Sequence, residues 1–140
     1  MVIFGVDLGN ARTGLAVCDP GEVLASPVTQ LECKGKSLSS IAELIAERAK
    51  KHGVAEIVVG YPKKMDGTSG ASAVKCKDFA AKLEQICGLP VVLRDERLTT
   101  VMAHSALSAA DVHGKKRKAV TDAAAAVIIL QEYLDFRRNR

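Results

Sequence analysis

The sequence predicts an α/β fold, a mixed five-stranded sheet flanked by helices in the order βββαβαβα. Two observations carry this. The chain from Val2 to Leu31 reads as three β-type runs joined by turns. After Ser37, helical periodicity alternates with short apolar runs of the kind buried in parallel sheets.

Val2 to Asp7 is an apolar run that stops at Gly9 and Asn10, and Thr13 to Cys18 resumes the pattern, which predicts a hairpin. Val23 to Leu31 follows the Asp19-Pro20-Gly21 turn and makes a third antiparallel strand. Leu38, Ile41, Leu44, Ile45 and Ala49 recur at helical spacing from Ser37 to Gly53, and Ile57 to Val59 is then a buried strand. Ala71 to Cys87 is a second helix, stopped by Gly88-Leu89-Pro90, and Val91 to Leu93 is the fifth strand. Helices are expected near Thr100 to Ala110 and over Ala119 to Phe136. Tyr61 to Gly70 and the basic stretch Asp111 to Lys118 are expected to be mobile loops.

With 140 residues, 48% of them hydrophobic, and only 11 Gly and 4 Pro, the chain suits one globular domain over 1–140. The start MVIFGVDLG lacks the features of a signal peptide and no stretch approaches a membrane span, so a cytoplasmic protein without a membrane partner is expected. Cys18, Cys33, Cys76 and Cys87 form no CxxC pair and no zinc spacing, and are expected to be packed, reduced thiols. The net charge of +4 suits a polyanionic partner without requiring one. With 4% aromatic residues there is no stacking platform for single-stranded bases, and His52, His104 and His113 are scattered.

Three acidic positions sit where a carboxylate needs a partner. Asp7 ends an apolar strand, where it either caps the turn beside Gly9 and Asn10 or serves a site. Asp95 and Glu96 close the fifth strand, and strand alternation allows only one of them onto a given face without saying which. Arg94 and Arg97 flank the pair, so a local ion-pair cluster is the plain alternative. Asp122 shares a helical stripe with Ala126, Ile129, Leu130 and Tyr133, or else serves its helix N-terminus. Carboxylates at the ends of central elements suit hard divalent cations. Two such ions roughly 3.5–4 Å apart hydrolyse phosphodiesters without a side-chain nucleophile.

These residues resemble a known family. Gly5-Val6-Asp7-Leu8-Gly9-Asn10-Ala11-Arg12-Thr13-Gly14-Leu15-Ala16 is similar to the first hairpin of the YqgF or RuvX family of Holliday junction resolvases and pre-16S ribosomal RNA nucleases, relatives of RuvC. Gly60-Tyr61-Pro62 with Met65-Asp66-Gly67 and Gly70 resembles its middle loop. Asp95-Glu96-Arg97-Leu98-Thr99-Thr100 resembles its most specific motif, and Asp122-Ala123-Ala124-Ala125-Ala126 through Gln131 its last helix. The resemblance spans nearly the whole chain. It implies a ribonuclease H-like fold, catalytic and metal-binding roles for Asp7, Glu96 and Asp122, and Mg²⁺ or Mn²⁺ as cofactor. The chain departs from RuvC-type resolvases in that its fourth strand leads into Gly60-Tyr61-Pro62 and Asp122 has no second helix carboxylate one turn away.

Arg12 and Arg97 could grip a phosphate, and Lys63, Lys64, Lys115, Lys116 and Arg117 could track a nucleic-acid backbone from loops beside the site. Each has a surface ion pair or a solvated face as its plain reading. Arg137, Arg138 and Arg140 could do the same or simply favour the negative end of their helix. The expected activity is an endonuclease on structured nucleic acid, by resemblance the pre-16S rRNA 5′ end, with pre-ribosomal particles as a further partner. The alternatives are a Holliday junction resolvase, a binding module without catalysis, and a phosphate-binding lobe of the actin, sugar-kinase and Hsp70 type. Junction cutting needs a homodimer, whereas a monomer suffices for RNA ends.

Overall fold

The computed structural model describes residues 1–9, 11–61, 71–95 and 114–139, with the backbone alone described at 61, 71–73, 95 and 114–123. Five strands, β1 (Ile3–Leu8), β2 (Arg12–Cys18), β3 (Ala25–Glu32), β4 (Glu56–Tyr61) and β5 (Val91–Asp95), form one mixed sheet in the order β3-β2-β1-β4-β5. The first three pair antiparallel, and β4 and β5 join parallel to β1. Helices α1 (Leu38–His52), α2 (Ala71–Cys87) and α3 (Gly114–Arg138) flank the sheet. The chain leaves the β3 edge, passes through α1 and re-enters beyond β1, so the strand order reverses at β1.

Alternation along the strands divides the core in two. Phe4, Val6, Leu8, Leu15, Ile57 and Val59 meet Ile41 and Ile45 of α1 and Phe79 and Leu83 of α2. Ile3, Ala16, Cys18 and Val58 meet Ala126, Ile129, Leu130 and Tyr133 of α3. Both sheet faces are therefore covered, which is why β1 and β4 read as nearly continuous apolar runs. Full burial of a side chain such as Phe4 or Phe79 contributes about 1.5–3 kcal/mol. Cys18, Cys33 and Cys76 are buried and Cys87 half-buried, and none of the four is in a disulfide.

Local chemistry sets the boundaries. The Ser37 side chain caps α1 by accepting from Ser40 N–H at 3.1 Å, and Gly53 ends it in the left-handed conformation. The third strand starts at Ala25, later than the expected Val23, because the Asp19 carboxylate holds the N–H groups of Gly21, Val23 and Leu24 in a turn. Val28 is an extra residue where β3 bulges against Leu15 and Ala16. The last helix starts at Gly114, earlier than the expected Ala119, so Lys115, Lys116, Arg117 and Lys118 open a helix rather than a loop. Their straight side chains lose little freedom in a helix, and a run of charge does not stop one. Tyr61, expected to open the loop to Gly70, is the last residue of β4. The rest of that loop and the helix expected near Thr100 to Ala110 lie outside the described residues.

One glycine governs how closely α3 seats. A Cβ on Gly5 would lie 2.7 Å from Leu130 Cβ and 2.9 Å from the Ala126 carbonyl oxygen. The helix backbone thus rests directly on the central strand.

Candidate active site

Asp7 lies near the C-terminal end of β1, half-buried, on the face that α3 covers. Its register partners are Gly14 on β2 and Gly60 on β4, and Gly60 pairs in turn with Arg94 on β5. Across this level of the sheet a carboxylate stands between two residues that have no side chain. This level lies at the carboxyl ends of the parallel strands and at the strand where the order reverses, the place where open α/β sheets bind ligands.

Arg12 opens β2 on the same face, two residues beyond Gly14. Gly9 shapes the turn between them, since a Cβ there would lie 2.3 Å from the Arg12 carbonyl oxygen. The Arg12 Nε lies 3.5 Å from Glu32 Oε1 on β3, an exposed and weak pair that a phosphate could displace.

The direction of α3 follows from its contacts. The Tyr133 hydroxyl donates to Glu56 Oε2 at 3.0 Å, and Glu56 is the register partner of Ile3 at the start of β1. Ala126 and Leu130 lie over Gly5, so α3 runs antiparallel to β1. Asp7 is about 7 Å beyond Gly5 along the strand. Asp122 precedes Ala126 by one turn, about 6 Å along the helix. The α3 turn that carries Asp122 therefore comes level with Asp7. Lys115, Lys116 and Arg117 lie farther along in the same direction, at the start of the helix.

Glu96, Arg97, Lys63 and Lys64 lie outside the described residues, as does the side chain of Asp122. Among the described residues no group of three metal-ligating side chains occurs.

The opposite end of the sheet holds a network that sequence reasoning missed. Arg137 pairs with Glu22 at 2.7 Å and with Glu56 at 3.5 Å, and the Met1 amino group lies 3.0 Å from Glu22. The Arg137 and Met1 cations hold the Glu22 carboxyl below its ordinary value, and Glu22 in turn holds the Arg137 proton more tightly. Burial, then Glu56, pushes the Tyr133 hydroxyl up. Arg138 pairs with Asp135 on its own helix. Arg137 is thus a structural clamp remote from Asp7. Its partners are far away in sequence, which left no local signal.

Arg94 is also placed differently from the local ion-pair cluster considered above. Its guanidinium lies 5.8 Å from the Tyr133 ring centroid and 5.3 Å from that of Phe136.

The family model described as RuvX, Holliday junction resolvase, matches residues 1–136. A relative in Kineococcus radiotolerans, described as "Putative pre-16S rRNA nuclease", is 46% identical over 139 residues, which cover 99% of this chain and 73% of its own. Thermus thermophilus RuvC in complex with a Holliday junction substrate aligns at a TM-score of 0.62 and 16% identity, over 99% of this chain and 96% of that one. The ROK hexokinase of Thermus thermophilus aligns at a TM-score of 0.50 and 22% identity over 74% of this chain and 38% of that enzyme, a likeness of fold over part of its length. The chain belongs to the RuvX family and has the ribonuclease H-like fold of the RuvC-type resolvases.

Proposed function

We propose that the chain is a divalent-metal-dependent endonuclease of structured nucleic acid, with the 5′ end of pre-16S rRNA as its natural substrate. The observation that carries this is the row Gly14, Asp7, Gly60 and Arg94, which sets a half-buried carboxylate between two glycines at the carboxyl ends of the parallel strands, on the face that α3 covers. The description of the Kineococcus relative supports the RNA substrate.

Asp7, Glu96 and Asp122 are assigned as the metal ligands. Arg94 shares the Asp7 face, so Asp95, the last residue of β5, falls on the opposite strand parity. That favours Glu96 over Asp95. The donor set is all oxygen, which fits Mg²⁺ or Mn²⁺. When bound, such ions activate a water for attack on phosphorus and stabilise the leaving oxygen. The protein supplies position and charge. Asp7 is fixed by strand pairing on both sides, Arg12 offers a planar cation to a non-bridging phosphate oxygen, and α3 covers the sheet face that Asp7 shares. Lys63, Lys64, Arg97, Lys115, Lys116 and Arg117 are assigned to flanking phosphates, which lowers affinity as salt rises.

No helix among the described residues is long and apolar enough to cross a membrane. Pre-ribosomal particles in the cytoplasm are the partner that goes with the proposed substrate. A second reading, resolution of Holliday junctions, is favoured by the family description and by the RuvC complex. It requires a homodimer with paired sites.

The test is cleavage of a labelled pre-16S 5′ leader and of a synthetic four-way junction with Mn²⁺ or Mg²⁺, comparing wild type with Asp7→Asn. Leader cutting that the variant loses supports the proposal. Cutting of the junction alone moves the activity to recombination, and cutting of neither supports a binding module without catalysis.

A further inference from the structure

The edge strand β5 has β4 as its only neighbour in the described sheet, and it carries the chain to Glu96. On the α3 face Val92 packs against the core, and Arg94 is the next residue on that face. An arginine at this level, in line with Asp7 through Gly60, invites assignment as a phosphate ligand. Its guanidinium is engaged elsewhere. It sits against the rings of Phe136 and Tyr133 at 5.3 and 5.8 Å, and the Tyr133 hydroxyl bonds Glu56 at the end of the sheet away from Asp7.

The seat itself is held firmly. Tyr133 is buried, its hydroxyl donates to Glu56, and the Arg137 guanidinium lies 5.7 Å from its ring centroid, so two guanidiniums share one ring. Arg137 is anchored by Glu22 and Glu56. A planar cation on an aromatic face is a directional contact, and Arg provides it better than Lys. The helix that offers the seat also carries Asp122.

We infer that Arg94 is a positioning residue, whose seat on Tyr133 and Phe136 ties the end of β5 to α3 and so fixes where the chain departs toward Glu96 relative to Asp7. This rests on the assignment of Asp7 and Glu96 to the active site. The residue acts through the strand it anchors and touches no substrate. Small displacements of a ligating carboxylate carry large costs in rate.

The experiment measures metal-dependent cleavage of one labelled RNA leader by wild type, Arg94→Met, Arg94→Lys and Phe136→Leu, with Asp7→Asn as the blank. Arg94→Met is expected to lower kcat by about tenfold or more. It should also raise the Mn²⁺ concentration for half-maximal rate, a quantity that a smaller folded fraction would not move. KM and the salt dependence of binding should stay at the wild-type values, and Lys should recover part of the rate because it keeps a cation on the rings. Phe136 is largely exposed, so Phe136→Leu keeps the fold and should show the same effects in weaker form.

An unchanged kcat and metal requirement in Arg94→Met would overturn the inference. So would a higher KM with a salt slope smaller by about one, the signature of a lost phosphate contact. Cutting by wild type that Asp7→Asn loses keeps the site assignment intact whatever Arg94→Met does. A wild type that cuts neither the leader nor a four-way junction overturns the site assignment and the inference together.

Discussion

Replacing Gly5 by alanine tests the seating of α3 directly. The new Cβ would stand 2.7 Å from Leu130 Cβ, and ordinary contact begins near 3.4 Å, so the helix must retreat by about 0.7 Å. Neither obstacle can swing aside, because one is the first side-chain atom of a helical residue and the other a backbone carbonyl. Retreat loosens Ile129, Leu130 and Tyr133, which pack against the same sheet face. Overpacking of this kind costs about 1–3 kcal/mol. For 140 residues the melting entropy is about 0.3 kcal/mol/K, so the midpoint should fall by about 3–10 °C. Thermal unfolding followed by far-UV circular dichroism measures it. A midpoint within about 1 °C of wild type would refute the close approach of α3 to β1.

Three further outcomes follow from single contacts. Gly9→Ala places a Cβ 2.3 Å from the Arg12 carbonyl oxygen, so it should lower the urea midpoint and weaken RNA binding together, by disturbing the turn that presents Arg12. Ser37→Ala removes the α1 cap and should cost about 1 kcal/mol in urea unfolding with no change in activity. The folded Glu22 carboxyl is held below its ordinary value of 4.5, so its contribution is complete above that pH and is lost as pH falls through the depressed value. Glu22→Gln should therefore be less stable than wild type at neutral pH and show a shallower loss of stability in acid; equal slopes below pH 4.5 would count against the Arg137 pair.

Local signals were legible in the sequence. Ser37 and Gly53 marked α1, Gly88-Leu89-Pro90 marked the end of α2, and short apolar runs marked β1, β4 and β5, with the β-type pattern resuming over β2. A mixed sheet flanked by helices followed from a hairpin-rich start with alternating parallel units after it, whereas the strand order β3-β2-β1-β4-β5 came from the structure. Misplaced boundaries arose where a side chain overrode propensity. Val23 and Leu24 look like strand residues, yet Asp19 takes their N–H groups into a turn. The run Lys115 to Lys118 looks like a solvated loop, yet helix is open to it.

Of the candidate site, the position of Asp7 at the end of an apolar strand was readable, but its setting between Gly14 and Gly60 was not. That setting depends on register between segments far apart in sequence. The same holds for Arg137 with Glu22 and Glu56, and for Arg94 on Tyr133 and Phe136. Glu96 and Asp122 owe their assignment to motif and spacing, and their side chains belong to the part of the chain not described.

Mn²⁺ binding to the purified protein, followed by titration calorimetry without any nucleic acid, bears most directly on the proposed carboxylate site. We predict binding by wild type that weakens by at least about tenfold in each of Asp7→Asn, Glu96→Gln and Asp122→Asn. Asp95→Asn, on the opposite strand parity, should bind as wild type does. Undiminished binding in Asp7→Asn, or a loss in Asp95→Asn that Glu96→Gln does not share, would contradict the assignment.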